Sequence, residues 1–388
     1  MILTNASRQW SERPSDEKYW SLSDMREACH LEYQAARQTT ATLGDLSTVA
    51  VDEEVMLVGS SGVRSLFSNY SFGQFVRTVA PKATDYLRTL PPELASRNLN
   101  HGLAQINGTQ RNLLFTDEDP VLRLKAIASN KYSRIWNVDV LDRLMRLESR
   151  GWRVPPARPS RAGDERARPA TESDCLSDRS FDLSVKPGDM IAPAGLYASD
   201  HDMFAFMIHE HRDIEVGGHS YMRGFFATNS EVPGTAFKLV CFLFNKVCGN
   251  HIVWDAREVK EMRVVHMGQE NAAAGKAFDG IQVQVQVQEY ADESASLEEA
   301  RIRRAYDHKI ADTKDEVLNK VFGLGTASRK DIEAAYGLAE QHPEDGHQGA
   351  DTAWGMVQGL TRLSQETPFA DRRNQLDRAA GKVAQIAF

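Results

Sequence analysis

Residues 227–254, ATNSEVPGTAFKLVCFLFNKVCGNHIVW, constrain this chain most. An apolar run containing Phe237, Leu239, Val240, Cys241, Phe242, Leu243 and Phe244 sits between two polar knots, Asn229-Ser230-Glu231-Val232-Pro233-Gly234 and Cys248-Gly249-Asn250-His251. The run is far shorter than the roughly 20 residues that span a bilayer, so other parts of the chain must bury it. Asn229-Ser230-Glu231 is expected to start the buried element, with Asn and Ser accepting from free backbone N–H groups and Glu231 in a first turn. Gly249-Asn250 would close it. If both ends lie close together, Asn229, Ser230 and Asn250 would rim a site. A helical 235–248 would put Cys241 and Cys248 on one face, as small hydrophobes rather than nucleophiles.

The same burial logic organises the rest of the chain. A helix is expected from Ser23 to Gln38, a short strand from Val55 to Val58, and a plain turn at Gly59-Ser60-Ser61-Gly62. Three short helices follow between Ser71 and about Gln105, broken at Pro81 and Pro91-Pro92. Asn137 or Asp139 opens a clearer helix, with Val140, Leu141, Leu144 and Leu147 on one face and Gly151 just past its end. Residues 155–174, PPARPSRAGDERARPATESD, lack apolar periodicity and mark an exposed loop or linker. Beyond it, Met203–Ile208 and Tyr221–Ala227 read as strands. The alternation IQVQVQVQ (281–288) predicts a half-buried strand with its glutamine face covered or paired. The last 90 residues are expected to be helical. Ser296 and Glu299 form a capping box, Gly323 closes that segment, Ser328 and Asp331 start another, and Trp354, Met356, Val357, Leu360 and Leu363 mark a third.

The expected class is α+β: a helical N-terminal part, a central mostly antiparallel sheet with packed helices, and a helical C-terminal region. The divisions are 1–154 with a basic segment, 155–175 as linker, 176–295 as sheet core and 296–388 as helical region, all able to pack as one unit. Residues 1–20 show no charged start followed by an apolar stretch, so no secretory leader is expected. Four scattered cysteines do not make a disulfide scaffold, and a reducing cytoplasm is the simplest setting.

Charge narrows the chemistry further. The chain carries −8 overall, yet between Val121 and Arg168 twelve basic residues face five acids, a local +7 that leaves about −15 for the remainder. Tyr132, Trp136 and Trp152 are interleaved with those cations. Cations that neutralise phosphate beside aromatic faces suit single-stranded nucleic acid. The candidate contacts are Arg123, Lys125, Lys131, Tyr132, Arg134, Trp136 and Arg143. A solvated helix face with a flexible basic loop, or pairing with the chain's own acidic part, would produce the same pattern.

Histidines offer an alternative. His209 and His211 would share one strand face, and His219 or His201 could add a third ligand to a divalent metal in a hydrolase. Exposed polar positions on a strand and its turn are the plainer reading. No nucleotide-binding motif is present, because VGSSGVRS (58–65) lacks the lysine and glycine spacing of a phosphate loop. An ATP-driven motor is disfavoured, and no cofactor is implied.

Several blocks together resemble a phage- and plasmid-borne family, domain of unknown function 932. They are FGQFVRTVAPKATDYLRTLPPELASRNLNHGL, LRLKAIASNKYSRIWNVDVLDRL and ATNSEVPGTAFKLVCFLFNKVCGNHIVW, with TAWGMVQGLT similar to its C-terminal helix. Asn229, Ser230, Glu231, Val247, Cys248 and Asn250 occupy the places of its most recognisable block. Pro233 ahead of Gly234 and Asn245 in place of an arginine depart from it. The resemblance implies a mobile-element setting in the cytoplasm of a bacterial host, without an assigned activity. The residues then lead to an expected ATP-independent recombination or replication accessory of annealing type. It would be a homo-oligomer on single-stranded DNA, not on a membrane; a protein-binding inhibitor of host defence is the further alternative.

Overall fold

A computed structural model describes residues 15–81, 83–106, 108–118, 121–154, 158–159, 165–175, 186–193, 195–209, 214–216, 219–245, 251–252, 261–264, 266, 280–292, 295–325, 327–341, 349–366 and 370–387. The class is α+β. Of the sequence positions named above, His211, Val247, Cys248, Gly249 and Asn250 lie outside the described residues.

The chain enters with β1 (Lys18–Tyr19) and α1 (Leu22–Ala35), whose N-terminus is capped by Ser21, its hydroxyl accepting from the Asp24 N–H at 3.1 Å. A six-stranded sheet follows: β2 (Ala36–Thr42), β3 (Ser47–Val51), β4 (Glu54–Val58), β5 (Arg64–Phe67), β6 (Gln110–Glu118) and β7 (Val121–Ala128), in the order β2-β6-β7-β5-β4-β3. Only the β5–β7 pairing is parallel, because the chain between β5 and β6 is spent on α2 (Asn69–Val79), α3 (Thr84–Arg88) and α4 (Pro92–Ala104). Proline sets these breaks, with Pro92 at the first helical position of α4, where its missing N–H costs nothing. Phe75, Val76, Leu99 and Leu103 from the helices meet Leu57, Leu113 and Leu124 of the sheet in one buried core. Burying a side chain such as Phe75 contributes about 1.5–3 kcal/mol.

After the sheet come α5 (Asn137–Glu148), packed on α1, and β8 (Trp152–Arg153). Within 155–175 the chain contributes β9 (Arg158–Pro159) and β10 (Arg168–Pro169), which flank β11 (Met190–Ala192) in a small antiparallel sheet. The large sheet is then built from β12 (Leu196–Ala198), β13 (Met203–His209), β14 (Ile214–Val216), β15 (His219–Asn229), β16 (Phe237–Asn245), β17 (His251–Ile252) and β18 (Glu261–Val264). Its path is β1-β12-β13-β15-β16-β17, with β8 on β13, β14 on β15 and β18 on β16, all antiparallel. Thus β1 and β8, from the start of the chain, complete a sheet whose centre lies beyond residue 195. The apolar segment that opened the sequence reading is strand β16, so Cys241 lies on a strand, buried among its neighbours.

The C-terminal region holds α6 (Gly280–Asp292), α7 (Ala295–Asp307), α8 (Lys314–Gly323), α9 (Arg329–Gln341), α10 (Ala353–Glu366) and α11 (Ala370–Gln385). Trp354 of α10 stacks on Tyr306 of α7 at 4.9 Å and meets Tyr221 of β15 edge-on at 5.8 Å, which seats the helices on the sheet. The expected capped segment ending at Gly323 is two helices, since Thr313 starts α8 afresh by accepting from the Glu316 N–H.

The strand expected at IQVQVQVQ is helix α6. The alternation contains a second pattern: Val283 and Val287 are four apart, and with Tyr290 and Ala291 they form the buried stripe, while Val285 is 47% exposed. Packing against α5 and β16 selects the helix, overriding strand propensity. Arg223 of β15 fixes its end by donating to the Tyr290 and Ala291 carbonyls at 2.7 and 2.6 Å.

Candidate functional site

Three polar segments converge at the seam between the two large sheets. They are the end of α1 (Glu32, Tyr33), β7 with the turn into α5 (Lys125, Tyr132, Arg134, Trp136, Asn137), and the exit of β15 (Asn229-Ser230-Glu231). His266 joins them from the segment after β18.

Lys125 is the hinge of this cluster. Its ammonium donates to Glu32 Oε2 at 2.5 Å and to Glu231 Oε2 at 3.4 Å, with only 8% of the side chain exposed. Burial opposes the charge, but Glu231 and Glu32 outweigh it and push the lysine up to about 12. Burial pushes Glu231 upward in turn, against the pull of Lys125 and of the Asn137 N–H. That N–H donates to Glu231 Oε1 at 2.8 Å. It is the first residue of α5, whose preceding residue Trp136 supplies no side-chain cap. A carboxylate from the other sheet therefore caps the helix, where the dipole favours negative charge. Asn229 spends its amide protons on the Ile135 carbonyl and Asn137 Oδ1, at 2.9 and 2.8 Å.

Beside this knot stands a column of rings. Tyr33 meets Trp136 edge-on at 4.8 Å, the Arg134 guanidinium lies over Trp136 and Tyr132 at 5.3 and 5.4 Å, and Tyr132 stacks on His266 at 5.3 Å. Tyr33 is 43% exposed and His266 only 4%, so the column runs from surface to interior. The Ile135 N–H donates to His266 Nδ1 at 3.4 Å, which puts the proton of the neutral ring on Nε2. Burial and the Arg134 charge push His266 down to about 4.

These shifts fix charge states rather than poise them. Lys125 stays cationic, His266 stays neutral and too weakly basic to take a proton at neutral pH, and burial holds the Cys29 thiol protonated. The cluster has the character of a joint between the sheets.

The family model for the domain of unknown function DUF932 matches residues 180–382, more than half of the 388-residue chain. The chain belongs to the DUF932 family. No curated protein and no solved structure matches it. The DUF932 match contains Asn229, Ser230, Glu231 and His266, while Glu32, Lys125, Tyr132, Arg134 and Asn137 lie ahead of it. The cluster thus fastens the DUF932 segment to the chain that precedes it.

Asn229-Ser230-Glu231 was expected to start the element that follows. That element is strand β16, and the trio acts elsewhere: Glu231 caps α5, and the Ser230 hydroxyl lies within reach of the His201 and Val232 carbonyls. Of the expected phosphate contacts, Lys125 is buried on two carboxylates, and Arg134 is held between rings and pushed down by burial. Arg123 is half-buried with its guanidinium 3.5 Å from the Phe67 carbonyl, Arg143 is half-buried beside Asp139, and Lys131 is exposed. His209 is buried on β13 with its ring edge on Trp152 at 5.1 Å, and His219 lies on β15. Among the described residues no three His, Cys, Asp or Glu side chains gather as a metal site. None of their helices is long and apolar enough to cross a membrane. Sequence reasoning missed Glu32, Asn137 and the depth of His266. The readable signal was Lys125 itself, a cation set between apolar residues in the strand VLRLKAIA.

Proposed function

We propose that this protein is an ATP-independent, non-catalytic accessory of a phage or plasmid that binds single-stranded DNA as an oligomer, in annealing-type recombination or replication. The observation that carries this reading is the division of the basic segment. Lys125 and Arg134 are taken inward, whereas Lys131, Arg146 and Arg150 are exposed and have no ion pair among the described residues. Arg143 and Arg146 are one turn apart on α5, and Arg150 follows in the turn just past its C-terminal end, so this end of the helix presents a line of cations. Trp136 and the exposed Tyr33 stand at the opposite end of α5, about 20 Å away at 1.5 Å per residue. A flexible strand laid along the helix would meet phosphate partners at one end and aromatic rings at the other.

The test is fluorescence anisotropy of a labelled single-stranded oligonucleotide titrated with salt, beside a duplex of equal length. If all three cations contact phosphates, the Lys131→Ala/Arg146→Ala/Arg150→Ala variant flattens the slope of log affinity against log salt by about 2, at roughly 0.7 per contact. An unchanged slope and affinity in that variant would remove this face from the footprint.

A further inference from the structure

A second feature lies away from α5, where the six-stranded sheet meets the helices α2–α4. The β3–β4 hairpin, the β5–α2 junction and helices α3 and α4 enclose an open cleft of about 350 Å³. Phe67, Phe72 and Leu87 contribute apolar lining. Glu53 and Glu54 line it from the hairpin, and Arg88 lines it from α3. The hairpin presents its acids through Asp52, whose φ of 53° lies in the left-handed region that tight two-residue turns require.

The two kinds of charge in this cleft do not neutralise each other. The Arg88 guanidinium donates to Asn69 Oδ1 and, at 2.6 Å, to the Asn69 carbonyl, and lies over the Phe72 ring at 5.1 Å. These partners hold its position and leave its charge uncompensated. Arg88, Glu53 and Glu54 are all exposed and enter no ion pair among the described residues. An apolar floor with an anionic wall and a cationic wall is complementary to a dipolar apolar occupant. The cleft is open, and the helices α3 and α4 that line it also carry Tyr86, 64% exposed, and Leu94, 47% exposed, so an occupant longer than a small molecule has further apolar side chains on the same two helices to meet.

We infer that this cleft docks a linear peptide segment of a partner protein, one that presents a large apolar side chain between a basic and an acidic residue. The apolar side chain fills the space over Phe67, Phe72 and Leu87, the basic residue meets Glu53 and Glu54, and the acidic residue meets Arg88. This inference does not depend on nucleic-acid binding, because its residues are distinct from those of the α5 face.

The experiment is selection of a random-dodecapeptide phage library on the full chain, followed by anisotropy of the enriched peptides, synthesised and labelled. The expected result is enrichment of an aromatic or large aliphatic residue flanked by Lys or Arg on one side and Asp or Glu on the other. The Glu53→Lys/Glu54→Lys variant should weaken binding of those peptides about tenfold, and Arg88→Glu should do the same, while oligonucleotide binding is unchanged. The three side chains are exposed, so folding is expected to survive, and circular dichroism verifies it; the hairpin variant alone is decisive if Arg88→Glu does not fold. Peptides swapped in charge should prefer the swapped variants. No enrichment over an unrelated protein, or peptides indifferent to both variants, would overturn the inference.

Discussion

Replacing Lys125 with methionine tests the joint between the sheets. Methionine keeps most of the volume and removes the ammonium. Glu32 is 41% exposed at its side chain and can turn to water, so the cost falls on Glu231, which is 4% exposed. Breaking a buried pair by removing one partner costs about 3–5 kcal/mol. Glu231 has a way to reduce that cost, which is to bind a proton. Burial already pushes its carboxyl up, and loss of the lysine removes the strongest opposing pull. In the variant, the folded state then holds more protons than the unfolded state between the ordinary carboxylate pKa and the raised one. Stability therefore falls as pH rises through that window, by up to about 1.4 kcal/mol per pH unit. Urea unfolding followed by circular dichroism should show Lys125→Met less stable than the parent by about 3 kcal/mol at pH 8 and by clearly less at pH 5. Adding Glu231→Gln should recover about 2 kcal/mol at pH 8, since the amide still accepts from the Asn137 N–H without a charge. A loss below about 1 kcal/mol, or one equal at both pH values, would refute the assignment of Lys125 as the buried counter-ion.

Two further outcomes follow from the same geometry. His266, held down at about 4 against an ordinary 6.5, binds fewer protons folded than unfolded between those values. Stability should fall as pH drops from about 6.5 to 4, by up to about 3 kcal/mol, and His266→Asn should remove that part of the pH dependence in thermal melts. Gly359 of α10 lies so close to α9 that a Cβ would stand 2.0 Å from the Ala335 carbonyl oxygen. Gly359→Ala normally favours a helix by about 1 kcal/mol; here it should destabilise by about 2 kcal/mol or more, read as a lower urea midpoint.

The elements fixed by local chemistry were legible. Proline at 81, 91 and 92 divided the α2–α4 region, and the apolar face of α5 was readable from Val140, Leu141, Leu144 and Leu147. Gly151 was placed just beyond α5, where it has a φ of 89° and lies so near the His209 ring that a Cβ would sit 3.0 Å away. The misreadings share one cause, in that a partner distant in sequence decides the outcome. IQVQVQVQ fits a strand by alternation and a helix by its 283/287 spacing, and only the covering elements choose. Asn229-Ser230-Glu231 has the composition of a helix start, but the helix it serves begins at Asn137. Lys125 looked like a surface cation because nothing in its own strand shows Glu231 arriving from 106 residues away.

That separation has a consequence for how the chain is made. During synthesis Lys125 leaves the ribosome well before Glu231, and at about 5–20 residues per second the interval is roughly 5–20 s. Until then Glu32 alone answers the ammonium, and the first turn of α5 lacks its acceptor. The nascent N-terminal portion is thus held in a half-closed state with an open seam, and arrival of Asn229-Ser230-Glu231 is the event that latches it.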